Sequence, residues 1–184
     1  MHQQSSTRRP RRGFTLIEML ATITIIMILA GMVVAGMDYV REKQRRSTAE
    51  MQIKLLAHAC EEFKLDWGFY PGRADNTASD GKNMSNELFS DLYWDSNRDG
   101  SGPLQDTSQR IYLSDLDPEH NKQGWIDGRG QAARILDPWR NEYRYRKGTS
   151  AQNPDFDLWS PGKDGKTNPD NPKDKVNRDD IRNN

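Results

Sequence analysis

Phe14-Thr15-Leu16-Ile17-Glu18 opens the stretch that decides the architecture, and it runs straight into Met19–Met37 (MLATITIIMILAGMVVAGM), 19 residues without a charge. Such a run is just long enough to cross a hydrocarbon core of about 30 Å. Between Phe14 and Met37, 18 of 24 residues are apolar. The chain as a whole is only 34% apolar over 184 residues, with a mean hydropathy of −0.98. The remainder is therefore too polar for a large, thick-cored enzyme domain. The composition describes one greasy segment attached to a small, loop-rich head.

Before this stretch, Arg8, Arg9, Arg11 and Arg12 stand without an acid. A secretory signal peptide would have a shorter apolar region and a small-residue cleavage site after it. Here Asp38-Tyr39-Val40-Arg41 follows with no turn breaker, so a membrane anchor is expected. Arg41, Lys43, Arg45 and Arg46 nearly balance the leader arginines, and basic-residue counting gives only a weak vote for the amino terminus inside. Glu18 breaks the apolar pattern. An ionised side chain at the membrane centre costs roughly 2.5–3.5 kcal/mol, less near an end, so either it snorkels to the interface or it awaits a cationic partner.

No proline occurs between Phe14 and Tyr70, and Ala49, Ile53, Leu56, Cys60, Phe63 and Trp67 recur at helical spacing. One helix is expected from Phe14 to Asp66, roughly 80 Å long, stopped by Gly68 and Pro71. Cys60 lies on the stripe as a small hydrophobe; His58 lies off it. A second short helix is expected over Asn83–Trp94 with Ser85 as its cap and Leu88, Phe89, Leu92 and Tyr93 on one side. Asp95–Arg134 reads as irregular. Beyond it, Tyr143 and Tyr145 share one face of a strand, and Phe156 and Leu158 share one face of another within Asp155–Ser160. The fold class is α+β: a long helix packed on a small antiparallel sheet with long loops.

The run Arg11-Arg12-Gly13-Phe14-Thr15-Leu16-Ile17-Glu18 resembles the processing signal of type IV pilins and pseudopilins. The resemblance implies cleavage between Gly13 and Phe14 by prepilin peptidase and N-methylation of Phe14. It also implies pairing of Glu18 with the Phe14 ammonium of a neighbouring subunit during assembly. Gly68-Phe69-Tyr70-Pro71 and Asp137-Pro138-Trp139-Arg140-Asn141-Glu142-Tyr143-Arg144-Tyr145 are similar to turns of the major pseudopilins of type II secretion, with Arg140 where glycine is usual. The organisation implied is a leader (1–13), a membrane and filament-core helix (14–37), a spine helix (38–67) and a periplasmic head (68–184). Partners implied are further copies in a homopolymer, minor pseudopilins and an inner-membrane assembly platform. The protein would be single-pass in the inner membrane, amino terminus cytoplasmic and head periplasmic.

Asp155–Gly165 resembles the strand and loop that open the calcium site of the same family. Asp164 and Asp179 are the expected carboxylate ligands, then Asp180, with Leu158 and Ser160 supplying backbone or hydroxyl oxygens. Lys166–Arg178 is longer than the family's glycine-rich connection, and without Ca2+ little apolar content would hold this tail. A second candidate is Asp95-Ser96-Asn97-Arg98-Asp99-Gly100, the first half of a twelve-residue calcium loop, with Asp95, Asn97 and Asp99 at its oxygen positions and Asp106 at its last.

Charges balance at 27 basic and 27 acidic residues, against a nucleic-acid binder. Neither a phosphate loop nor a nucleophile elbow is present in the sequence, Cys60 has no disulfide partner, and no enzyme is expected. Two alternatives stay open: a type IV pilin of a surface fibre, and a membrane-anchored calcium-binding protein that never polymerises.

Overall fold

In the computed structural model, residues 13–72, 84–103, 105–106, 108–121 and 123–183 are described. The leader arginines and the expected helix start at Asn83 lie outside them. Helix α1 spans Leu16–Trp67. It ends where the sequence provides a residue without a Cβ: Gly68 takes φ +80° and donates its N–H to the Lys64 carbonyl at 2.7 Å. The chain divides into two compact units, Met1–Glu42 and Lys43–Asn184. In the first, α1 is long and apolar enough to cross a membrane, and none of its most apolar window is buried.

The second unit is built on the apolar stripe of α1. Ala49, Ile53, Leu56, Cys60 and Phe63 are each at most 2% exposed. Each fully buried large side chain among them contributes about 1.5–3 kcal/mol of favourable transfer free energy. Trp67 departs from the stripe. It is 41% exposed, because the helix ends there, and it stacks on Phe63 while its Nε1 donates to the Tyr112 hydroxyl at 3.0 Å. Burial pushes the Cys60 thiol far up, leaving it inert.

Helix α2 (Ser85–Phe89) continues into a π-helical turn, Ser90–Trp94. Ser85 is the first helical residue rather than the cap, and its buried hydroxyl has no partner. The expected apolar side holds: Leu88, Phe89, Leu92 and Tyr93 all enter the core.

Strands β1 (Ile126–Asp127) and β2 (Arg134–Ile135) pair antiparallel, and β3 (Arg144–Lys147), β4 (Phe156–Ser160) and β5 (Ile181–Arg182) form a second antiparallel sheet in that order. Tyr145 lies opposite Leu158 in its register. Tyr143 stands just before β3 rather than in it, yet Tyr143, Tyr145, Phe156 and Leu158 share a core with the α1 stripe, as their alternation predicts. The Asp95–Arg134 stretch is largely irregular, yet Leu116, Trp125, Ile126 and Ala133 from it are buried in the same core.

Two features add to the sequence reading. Arg140 takes φ +74°, so the turn keeps the left-handed conformation that favours glycine, and the arginine is held by donation to the Gly124 carbonyl at 2.9 Å. The carboxy-terminal tail is ordered by polar contacts rather than by apolar burial. Every residue of β4 is buried, because the tail covers its outer face. Arg146 anchors it, pairing with Asp157 at 2.7 Å and donating to the Pro169 carbonyl, and Asn177 Nδ2 donates to the Asn168 and Asn171 carbonyls.

The Tyr143 hydroxyl donates to Gln52 Oε1 at 2.8 Å inside the core, joining sheet to helix. Tyr143→Phe leaves that amide oxygen without its donor and is expected to cost about 1–3 kcal/mol, read as a lower denaturation midpoint with unchanged cooperativity.

Candidate functional site

Thr15 precedes the first helical residue, and its N–H and Oγ1 both donate to Glu18 Oε2, at 2.9 and 2.8 Å. Glu18 N donates back to Thr15 Oγ1 at 3.3 Å. This reciprocal capping box satisfies donors that the first turn of any helix leaves open. The sequence reading expected Glu18 to wait for a partner from another subunit. The structure gives it one in its own chain, and the Thr-x-x-Glu spacing was the signal that could have revealed it. Phe14, next to the cap, is 77% exposed.

In the carboxy-terminal loop, Asp164 and Asp179 are brought together: Asp164 N donates to Asp179 Oδ2 at 3.0 Å. Gly162 lies against the same residue, where a Cβ would stand 2.5 Å from the Asp179 carbonyl oxygen. The other three expected ligands are engaged elsewhere. Asp180 Oδ2 accepts from Thr167 Oγ1 and Arg182 Nη2, while its Oδ1 is buried without a partner. The Ser160 hydroxyl donates to Asp137 Oδ2 at 2.6 Å, and the Leu158 carbonyl accepts from Asn183 N. Among the described residues, no three His, Cys, Asp or Glu side chains gather closely enough to hold a metal ion. The donor set is nevertheless of the right chemistry, oxygen only, with one orphaned buried carboxylate oxygen beside the Asp164–Asp179 pair in sequence.

The Asp137–Tyr145 motif explains itself in this setting. Asp137 Oδ1 accepts from Trp139 N and Asn141 N, and Asn141 Nδ2 donates to the Gly162 carbonyl, so the turn fixes the entrance of the loop. The Gly68–Pro71 turn is likewise tied down. Asp91 accepts from Gly72 N at 2.6 Å, and Lys147 Nζ donates to the Tyr70 and Gly72 carbonyls.

A profile described as the prokaryotic N-terminal methylation motif matches residues 8–34, and one described as type II secretion system protein G matches residues 103–179. The "Type II secretion system core protein G" of Pseudomonas aeruginosa is 30% identical over 160 residues, 86% of this chain and 88% of that relative. The chain belongs to the type II secretion system protein G family. The Escherichia coli (strain K12) protein of the same name is 29% identical over 84% of this chain and 83% of its own length. No solved structure matches the chain. The family match begins at residue 103, so much of the irregular Asp95–Arg134 stretch falls inside the family region.

Three carboxylates with buried side chains contribute to the acid behaviour of the head. Burial raises Asp137 and Asp180, outweighing the hydrogen bonds that would lower them. Burial also acts to raise Asp157, but the Gln152 N–H, the Arg146 guanidinium and the Asn153 N–H overcome it and hold the carboxyl below its usual range. Asp157 therefore contributes stability above the ordinary carboxylate pKa, lost as pH falls through its depressed folded value; Asp137 and Asp180 do the reverse, adding stability as they take up protons. Melting temperature is expected to rise slightly on mild acidification and to fall in stronger acid. Asp157→Asn should lower the neutral-pH value and flatten the acid fall.

Proposed function

We propose that the protein is a major pseudopilin subunit, cut between Gly13 and Phe14 by prepilin peptidase, N-methylated on Phe14 and polymerised into the periplasmic pseudopilus that drives type II secretion. The observation that carries this reading is the placement of Glu18. A carboxylate in the first turn of a helix whose most apolar window is unburied sits four residues from the one that cleavage would turn into a cation, and bonds to the residue next to it. Lipid offers no donors to such a carboxylate, so the Thr15 cap holds it until a neighbouring subunit's Phe14 ammonium supplies a stronger partner. An ion pair of this kind is costly with one member missing, so it rewards a single stagger between subunits. Before assembly, residues 14–37 anchor the chain in the inner membrane with the head in the periplasm. Afterwards the same residues form the shared core of the filament, with minor pseudopilins and the membrane platform as partners.

Glu18→Ala is expected to leave membrane insertion and head folding intact but to abolish incorporation into filaments and secretion of exoproteins. Normal secretion by that variant would overturn the assembly reading.

The carboxy-terminal loop is proposed to hold Ca2+ through Asp164 and Asp179, with Asp180 reached by rotation of its side chain. The ion would supply the positive charge that the raised Asp180 and the adjacent carboxylates lack. Ligand at about a hundred times its dissociation constant stabilises by about 2.7 kcal/mol. The full chain in detergent should melt higher with calcium than with chelator, and Asp164→Ala should remove most of that gain. Equal gains in the two proteins would contradict this assignment.

A further inference from the structure

We propose that Asp95–Asp106 is a separate cation site, taking a hard divalent ion such as calcium through oxygen ligands of its own. The first half of the loop has the turn that the motif demands at its sixth position. Gly100 stands there with φ +86°, and Arg98 two residues earlier takes φ +60°. Gly100 N donates to Asp95 Oδ2 at 3.1 Å, which fixes the first-position carboxylate inside the loop. Its other oxygen, Oδ1, is buried with no hydrogen-bond partner, on a residue only 5% exposed. A buried carboxylate oxygen without a donor is costly, and a cation bound by the loop supplies what it lacks.

The rest of the loop points the same way. Asn97 Nδ2 lies between two carboxylates, 3.2 Å from Asp99 Oδ2 and 2.7 Å from Asp106 Oδ2. The positive end of an amide thus occupies the position between the third-, fifth- and twelfth-position side chains. Rotating that amide presents Asn97 Oδ1 instead, and with Asp99 and Asp106 turned towards it an ion there would meet an oxygen from each of the three side chains, with the Ser101 carbonyl at position seven. Among the described residues, none of Asp95, Asp99 and Asp106 is in an ion pair; Arg98 is turned away to Asp91 at 2.7 Å and to the Gly72 carbonyl. The three carboxylates stand apart rather than clustered, each engaged by N–H donors of its own segment, so binding requires Asp99 and Asp106 to swing inward. Both are outside the core. Asp106 is one methylene shorter than the usual glutamate, which favours a weak site, about 10⁻⁴–10⁻³ M as in extracellular modules.

The structural effect would be local. The indole of Trp94 lies so close over Gly102 that a Cβ there would stand 2.5 Å from its ring, and an ion joining Asp95 to Asp106 would lock this flap across the end of the π-helical turn. Calcium titration of the full chain in detergent micelles by calorimetry, wild type against Asp95→Asn and Asp99→Ala, tests the site. Asp99 is exposed, so Asp99→Ala keeps the fold and decides the matter should Asp95→Asn not fold. Wild type is expected to bind one more ion than Asp99→Ala, or to bind one ion roughly tenfold more tightly. The carboxy-terminal loop is untouched in all three proteins, so any ion it binds adds equally to each. Equal stoichiometry and affinity in wild type and Asp99→Ala, or no binding by wild type, would overturn the proposal.

Discussion

Burial of one face of α1, from Ala49 to Phe63, is the constraint on which the rest of the head depends. The polar portion of the chain has too little apolar surface to form a core by itself, so the helix supplies one wall of it. Every other element is placed by what it lays on that wall: α2 through Leu88 and Phe89, the β3–β4 pair through Tyr145, Phe156 and Leu158, and the long irregular stretch through Trp125 and Leu116. The two tyrosines add direction to this burial. Tyr143 donates to Gln52 on the helix and Tyr145 to the Pro71 carbonyl in the turn after it, so the sheet is hydrogen-bonded as well as packed against its support.

Where apolar surface runs out, polar networks take over. The Arg146–Asp157 pair is buried on both sides and further satisfied by backbone N–H donors from Gln152 and Asn153, the condition under which a buried charge pair is tolerated. It sits on the face of β4 away from the helix and holds the tail there. The orphaned oxygens of Asp180 and Asp95 mark two places where such satisfaction is incomplete, and both lie in oxygen-rich loops. The cations proposed for the two loops would complete both.

Much of this was legible in the sequence because it rests on periodicity. The α1 stripe repeats at helical spacing over five buried positions, and the tyrosine and Phe156/Leu158 pairs alternate at the spacing of a strand. Local chemistry was harder to see. Thr15 and Glu18 stand at capping-box spacing, but the charge of Glu18 in an apolar run drew the reading towards an intermolecular partner. Trp125 and Leu116 were hidden because an isolated apolar residue in a loop carries no period. The ordered tail was hidden because its contacts are long-range hydrogen bonds between asparagines, an arginine and backbone carbonyls, which leave no pattern along the chain. Arg140 marks the opposite case: a departure from glycine that the structure accommodates with the backbone conformation unchanged.

In the proposed assembly Glu18 exchanges Thr15 of its own chain for the terminal ammonium of another, and that ammonium would exist only after processing. The proposed assembly therefore turns on whether Phe14 becomes the first residue. Intact-mass measurement of the chain isolated from cell membranes tests this most directly. A mass lacking residues 1–13 and carrying one added methyl group is the predicted result. A chain that retains its leader in cells with active prepilin peptidase would contradict it.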